Sequence, residues 1–290
     1  MTLPHVGLAV LVMLLWGVNF VAAKLGLEEL PPLLMLSVRF LAVGFLLIPF
    51  APFPRGKMIQ IGWLSLVLGT IHFALMFTGV QGVDAGVAAI AIQLQVPFAA
   101  ILAAAIFKDK LGWRRMVGMA FAFVGIAMLA GEPRMQSSLI SLGLVIAASF
   151  VWAISNIQVK LIKEIHPLSL LAWSSLLSAP QLIVLSLLME SGQAEALSEA
   201  GWRGWGAIAY MVVCVSGVGY GIWYYLVPRY DVNQTMPFTL LVPMFGIGSG
   251  ALVLDERMTW MMLTGSALTL AGVAVIILRR PRTAEGPLQS

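Results

Sequence analysis

Ten runs of about twenty apolar residues follow one another along this 290-residue chain. A helix rising roughly 1.5 Å per residue needs about that length to cross a hydrocarbon core some 30 Å thick. The runs are 5–24, 32–52, 59–80, 85–107, 113–131, 139–160, 167–189, 204–226, 232–254 and 259–278. Charge, Pro or Gly punctuates them, as in Glu28-Glu29-Leu30-Pro31-Pro32, Pro52-Phe53-Pro54-Arg55, Lys108-Asp109-Lys110 and Gly131-Glu132-Pro133-Arg134. Backbone groups in lipid must be satisfied within their own segment, so the runs read as helices rather than open strands. Apolar residues make up 60% of the chain and charged ones 10%, too few charges to keep a water-facing surface dispersed. A soluble enzyme, a disordered chain and a nucleic-acid binder are poor fits. The single cysteine, Cys214, excludes an intrachain disulfide framework and a cysteine-based zinc site. The first run has no Lys or Arg before it and is too long for a signal-peptide core, so it is expected to be a retained helix. The fold class expected is an all-α polytopic membrane protein of ten transmembrane helices, with a charged tail at 281–290.

Basic residues orient the chain. With the N-terminus in the cytoplasm, twelve Lys and Arg fall at cytoplasmic helix ends and four (Lys24, Arg134, Arg203, Arg257) on the other side. That is the positive-inside bias, and it places both termini in the cytoplasm. Nine of the thirteen acids then lie outside. Trp63, Trp113, Trp202, Trp205 and Trp260 stand at helix starts, where interfacial aromatic anchors belong. For a bacterial chain this is a multi-pass inner-membrane protein.

The chain also repeats itself. Trp16, Lys24, Leu25, Glu28 and Pro31 recur 136 residues later as Trp152, Lys160, Leu161, Glu164 and Pro167. Asp84, Asp109, Lys110, Trp113, Gly118 and Gly125 recur 147 residues later as Asp231, Glu256, Arg257, Trp260, Gly265 and Gly272. The larger offset marks an insertion, assigned to the loop at 190–203. The halves, 1–134 and 135–280, each hold five helices, so the second enters the membrane from the opposite side. Such inverted repeats give two arrangements of similar energy, one open to each face, around a midplane site.

Several stretches resemble the drug/metabolite transporter superfamily: Leu-Trp-Gly-Val-Asn-Phe-Val at 15–21, Ser37-Val38-Arg39-Phe40, Gly219-Tyr220-Gly221-Ile222-Trp223, and Asp255-Glu256-Arg257-Met258 before Gly265 and Gly272. More narrowly the chain is similar to the EamA-type exporters. Ile92-Gln93-Leu94-Gln95, Val218 to Trp223 and Leu240-Leu241-Val242-Pro243 resemble the branch that exports O-acetylserine and cysteine. The resemblance covers nearly the whole chain. It implies two EamA repeats of five helices and export of small metabolites, amino-acid derivatives included. Lys108-Asp109-Lys110 departs from the family's usual Gly-Glu-Arg but keeps an acid–base pair.

A polar group inside hydrocarbon costs free energy unless paired, so each one asks for a reason. The candidates for a substrate pathway are Trp16 and Asn19 on the first helix, Arg39 on the second, His72 on the third, Gln93 and Gln95 on the fourth, Trp152, Ser155 and Asn156 on the sixth, and Tyr220, Trp223 and Tyr224 on the eighth. Amide and imidazole groups there would replace water around a zwitterion, and Trp and Tyr faces would contact its cation or carbon stem. The competing reading is hydrogen bonding between helices. Arg39 either captures a substrate carboxylate or serves structure, by snorkelling outward or by pairing with Glu28 or Glu29. Asp109, Lys110, Glu256 and Arg257 occupy matched junctions and are read as gates or interface ion pairs. Pro97, Pro237 and Pro243 interrupt helices four and nine, and Gly246, Gly248 and Gly250 suit close helix packing.

No Asp or Glu lies mid-helix, so a carboxylate proton relay is not expected, and His72 is the sole conceivable proton carrier. Facilitated efflux down a concentration gradient, or coupling to something other than a carboxylate relay, is expected instead. There is no Walker loop, HExxH or rhomboid-type Ser–His pattern, so ATP hydrolysis and intramembrane enzyme chemistry are disfavoured, as is a channel, for want of a filter motif. The reading is a cofactor-free, metal-free carrier of a small amino-acid metabolite, or alternatively of another small neutral solute or drug. It is embedded in the bilayer, without nucleic acid, as a monomer or homodimer.

Overall fold

A computed structural model describes residues 1–107, 112–132, 138–162, 165–230 and 232–278. Asp109 and Lys110, two of the expected gate residues, and the tail at 281–290 lie outside the described residues.

Among the described residues, ten helices are long and apolar enough to cross a membrane: α1 (Leu3–Leu27), α2 (Pro32–Phe50), α3 (Met58–Gly82), α4 (Ala85–Ile106), α5 (Trp113–Ala130), α6 (Leu139–Leu161), α7 (Pro167–Met189), α8 (Trp202–Leu226), α9 (Met236–Val253) and α10 (Trp260–Ile277). Most boundaries fall within a few residues of the apolar runs. Helix α1 extends past Lys24, because the ammonium donates to Val83 O and so joins the helix end to the α3–α4 turn. The loop at 190–203 holds a short helix, Gln193–Glu199. The expected ninth span is divided: Val232–Thr235 and a 3₁₀ stretch over Met236–Leu240, with Pro237 inside it, precede regular helix from Leu241. Proline has no N–H to donate and fixes φ, which favours such a break. Helix α4 carries the matching 3₁₀ turn at Ile92–Leu94, just ahead of Pro97.

The halves pack reciprocally. Helix α1 lies against α8 and α9, and α6 lies against α3 and α4, its partners under the repeat. The symmetry-related pairs α2–α7 and α5–α10 pack on themselves. At the α5–α10 crossing a Cβ on Gly118 would lie 2.7 Å from Gly272 O, and one on Gly265 would lie 2.8 Å from Gly125 O. Gly118 corresponds to Gly265, and Gly125 to Gly272, so each glycine faces the counterpart of the other. That exchange is what a two-fold axis in the membrane plane produces. Small residues let helix backbones approach in lipid, where there is no hydrophobic drive between helices. Gly17 does the same for α1 and α9, with a Cβ there 2.7 Å from Val242 O.

The third helix of each half departs from α geometry at the same place. Residues Ser65–His72 of α3 and Met211–Gly219 of α8 form π-helical turns. The repeat offset of 147 carries the first onto 212–219. Such wide turns are rare and concentrate where helices serve function.

Candidate substrate cavity and its closed face

The π segments flank a small cavity of about 50 Å³, lined by Arg39 and Phe40 of α2, Leu68, Gly69 and Phe73 of α3, Trp152 of α6, Leu171, Ser174, Ser175 and Ser178 of α7, and Ser216 and Tyr220 of α8. The repeat pairs half of this lining. The 136-residue offset carries Arg39 to Ser175, and the 147-residue offset carries Gly69 to Ser216 and Phe73 to Tyr220. The cavity therefore straddles the same two-fold axis that relates the halves. Its volume leaves room for a few waters.

Arg39 dominates it. The residue is 3% exposed, and its Nε and Nη1 are buried without a hydrogen-bond partner. Three rings surround the guanidinium, with centroids at 5.5 Å (Phe40), 5.3 Å (Phe73) and 5.8 Å (Phe77). Neither structural role expected for Arg39 is seen: it does not reach outward, and both acids are engaged elsewhere. Glu28 Oε2 lies 3.0 Å from Arg203 Nη1, and Glu29 Oε2 accepts from the Gly201 and Gly204 N–H groups.

Other pathway candidates fall around this centre. Trp16 of α1 stacks at 5.2 Å on Tyr220 and 5.6 Å on Trp223. Trp152, its counterpart, stacks at 4.9 Å on His72. Tyr224 meets Tyr220 at 5.7 Å. His72 is buried, and its Nδ1 lies 2.8 Å from Ala148 O; a carbonyl only accepts, so Nδ1 carries the hydrogen. The ring thus ties α3 to α6 and does not line the cavity. Ser155 is buried with its hydroxyl donated to Trp152 O. Asn19 Oδ1, Gln93 Nε2 and Trp16 Nε1 are buried without partners, but Asn19, Gln93 and Gln95 are outside the cavity lining. Asn156 is exposed and also outside it. The cavity is thus an aromatic and hydroxyl-lined chamber with one full positive charge.

Sequence reading missed the α7 stripe of Ser174, Ser175, Ser178 and Gln181. Its signal was the three-to-four-residue spacing of polar side chains in an otherwise apolar helix. Ser178 Oγ donates to Ser65 O at 3.1 Å and Gln181 Nε2 to Ser65 Oγ at 2.9 Å, while Thr70 Oγ1 donates to Gln181 Oε1 at 2.7 Å. These bonds hold the π segment of α3 against α7.

On the face opposite the chain termini, carboxylates from one half bind helix starts of the other. Glu190 Oε1 and Oε2 accept from the Leu33 and Leu34 N–H groups at 2.7 and 3.0 Å, closing the start of α2, and Oε2 also accepts from Ser186 Oγ. Glu29 takes the start of α8 at 2.7 Å (Gly204 N) and 2.9 Å (Gly201 N). Glu256 accepts from the N–H groups of Ala85 and Gly86, the start of α4. The turn after α9 passes through the left-handed region at Asp255 (φ 52°), a conformation short Asp tolerates. Glu132 accepts from Thr259 Oγ1, which itself accepts from Met262 N at the start of α10. Helix starts leave N–H groups unpaired and carry partial positive charge, so carboxylates suit them. Burial pushes the Glu256 carboxyl above the usual carboxylate range and nearby Asp84 adds to this, while the two N–H bonds and Lys24 pull it down. Arg257, beside it, is exposed.

Ten crossing helices in two interlocked, inverted halves around a polar chamber define a multi-pass membrane transporter. A family model described as EamA-like transporter family matches residues 3–131 and again 139–278. The chain belongs to that family. It is 34% identical over 290 residues to a protein of Salmonella typhimurium named probable amino-acid metabolite efflux pump, covering 96% of this chain and 97% of the relative. It is 33% identical over 277 residues to an Escherichia coli protein of the same name, covering 92% and 93%. One solved crystal structure matches with a TM-score of 0.65 at 15% identity, over 95% of this chain and 96% of that one, and shares the fold.

Proposed function

We propose that this chain exports small amino-acid metabolites across the inner membrane, O-acetylserine and cysteine among them, by alternating access and without ATP hydrolysis. The central cavity is the substrate site. The observation that carries this is the placement of Arg39/Ser175, Gly69/Ser216 and Phe73/Tyr220 as repeat pairs around one chamber. A chamber on the axis faces equivalent surroundings whichever half tilts, so one site can serve both faces. The π segments of α3 and α8 are its hinges, because wide turns yield more readily than α-helical ones. The carboxylate links opposite the termini form the closed gate, and positive-inside bias assigns that gate to the outside. The names of the Salmonella and Escherichia coli relatives support the substrate class.

The test is efflux of labelled O-acetylserine and cysteine from loaded cells, with and without the protein, followed by purified protein in liposomes. Saturable efflux that falls at least tenfold in Tyr220→Ala with unchanged protein level is expected. Linear flux would indicate a channel, and unchanged efflux in both Tyr220→Ala and Trp152→Ala would remove the cavity from the pathway.

A further inference from the structure

Resting on the cavity as the substrate site, the geometry points to a ranking of ligands within it: monocarboxylates whose amino group is blocked or absent bind in preference to free zwitterionic amino acids, O-acetylserine and cysteine included. Arg39 lines this chamber, its Nε and Nη1 are buried without a partner among the described residues, and no acid is in the lining. Glu28 and Glu29, the acids nearest the start of α2 in the chain, are held by Arg203 and by the start of α8. A guanidinium kept from water without a counter-ion is costly, and a carboxylate satisfies its planar fork with two parallel bonds. The remaining polar groups are neutral. The Ser175 and Ser216 hydroxyls make no side-chain hydrogen bond among the described residues and can bind a carbonyl or hydroxyl of the same ligand.

Charge then selects. A ligand of net charge −1 leaves the loaded chamber neutral. A zwitterion also brings an ammonium; the lining offers it hydroxyl oxygens and the rings of Trp152, Tyr220, Phe40 and Phe73, but no carboxylate to neutralise its charge. Those rings already serve or adjoin the guanidinium, since Phe40 and Phe73 lie over it. N-acylated amino acids and hydroxy or oxo acids fit this arrangement; neutral esters lack the group that Arg39 awaits.

The experiment uses three probes at neutral pH against purified protein in liposomes: N-acetyl-L-serine, its isomer O-acetyl-L-serine, and N-acetyl-L-serine methyl ester. Competition against labelled N-acetylserine is expected to favour the acid by tenfold or more over both others. Arg39→Gln should erase the advantage of acid over ester, and Arg39→Lys should keep part of it. Equal competition by the ester, or preference for O-acetylserine, in the unmodified protein overturns the proposal without recourse to any variant. Saturable transport of O-acetylserine and cysteine alongside such a result leaves the exporter reading standing. If none of the solutes moves, the exporter reading fails. Thermal stabilisation in detergent then decides this one: protection by the acid alone supports it, and equal protection by acid and ester overturns it.

Discussion

Replacing Glu190 by Gln probes the closed face most directly. The carboxylate holds two adjacent N–H groups at the start of α2, with 2.7 and 3.0 Å separations. An amide keeps the shape but turns one acceptor into an NH₂ group that faces a donor. A hydrogen bond to a charged group contributes about 1.5–3 kcal/mol, and the helix-start charge about 0.3–1 kcal/mol more. Glu190 is only half-buried, and solvent screening trims the sum to about 2 kcal/mol. That corresponds to roughly a 30-fold shift from closed to open. The assay uses Ser175→Cys, in the cavity, on a Cys214→Ala background, with a membrane-impermeant maleimide added to either face of sealed vesicles. Labelling from the face opposite the termini should rise about 30-fold in Glu190→Gln and stay constant from the terminal face. A change under about threefold, or a gain from the terminal face instead, would refute the gate as described.

The remaining expectations concern packing and pH. Gly272→Val places a Cβ 2.6 Å from Ala122 N, and should cost about 1–3 kcal/mol or more and deplete monodisperse protein in size-exclusion chromatography; Gly143→Val, with nothing within 4 Å, should not. Gln181→Leu removes the bridges to Ser65 and Thr70, and because interhelical bonds in membranes average well under 2 kcal/mol, the melting temperature should drop by about 2–4 °C. The Glu256 carboxyl, raised by burial in the closed form, returns towards its ordinary value when water reaches it. Protons therefore bind the closed form more tightly, and the stabilisation they bring is present at low pH and lost as pH rises through the raised value. Acidifying the loop face should slow cavity labelling in the native protein, and Glu256→Gln should lose that part of the pH response; acid-accelerated labelling in both would contradict the sign.

The helices and the repeat were legible because lipid imposes one strong rule, continuous apolarity, on every crossing segment. Helix ends were less so, since Lys24 stops an apolar run but not the helix that carries it. The Pro237 break was visible as a proline, not as the change from 3₁₀ to α that follows it. Arg39 stood out as the lone charge within a span. Its partners did not, because which acids reach it depends on how loops fold back, and Glu28 and Glu29 fold towards α8. The α7 serines were hidden by their habit of bonding to their own helix carbonyls, as Ser174 does with Leu171. Asn156 shows the converse: polarity at the right depth says nothing about which way a helix is turned.

The wide turns in α3 and α8 carry a consequence for sequence length. A π turn accommodates one surplus residue relative to an α turn, and each residue of a helix rotates the chain by about 100°. Removing a single residue between Ser65 and His72 would let α3 wind back to regular pitch while Phe73 and everything beyond it kept nearly their present facing, because the rotation lost with the residue is recovered as the turns tighten. A matched excision between Met211 and Gly219 would leave the rest of α8 facing nearly as it does now. In this molecule the two third helices thus tolerate a changed residue count at their wide turns, whereas one residue lost from a regular stretch of the same helices would turn everything beyond it by about 100°.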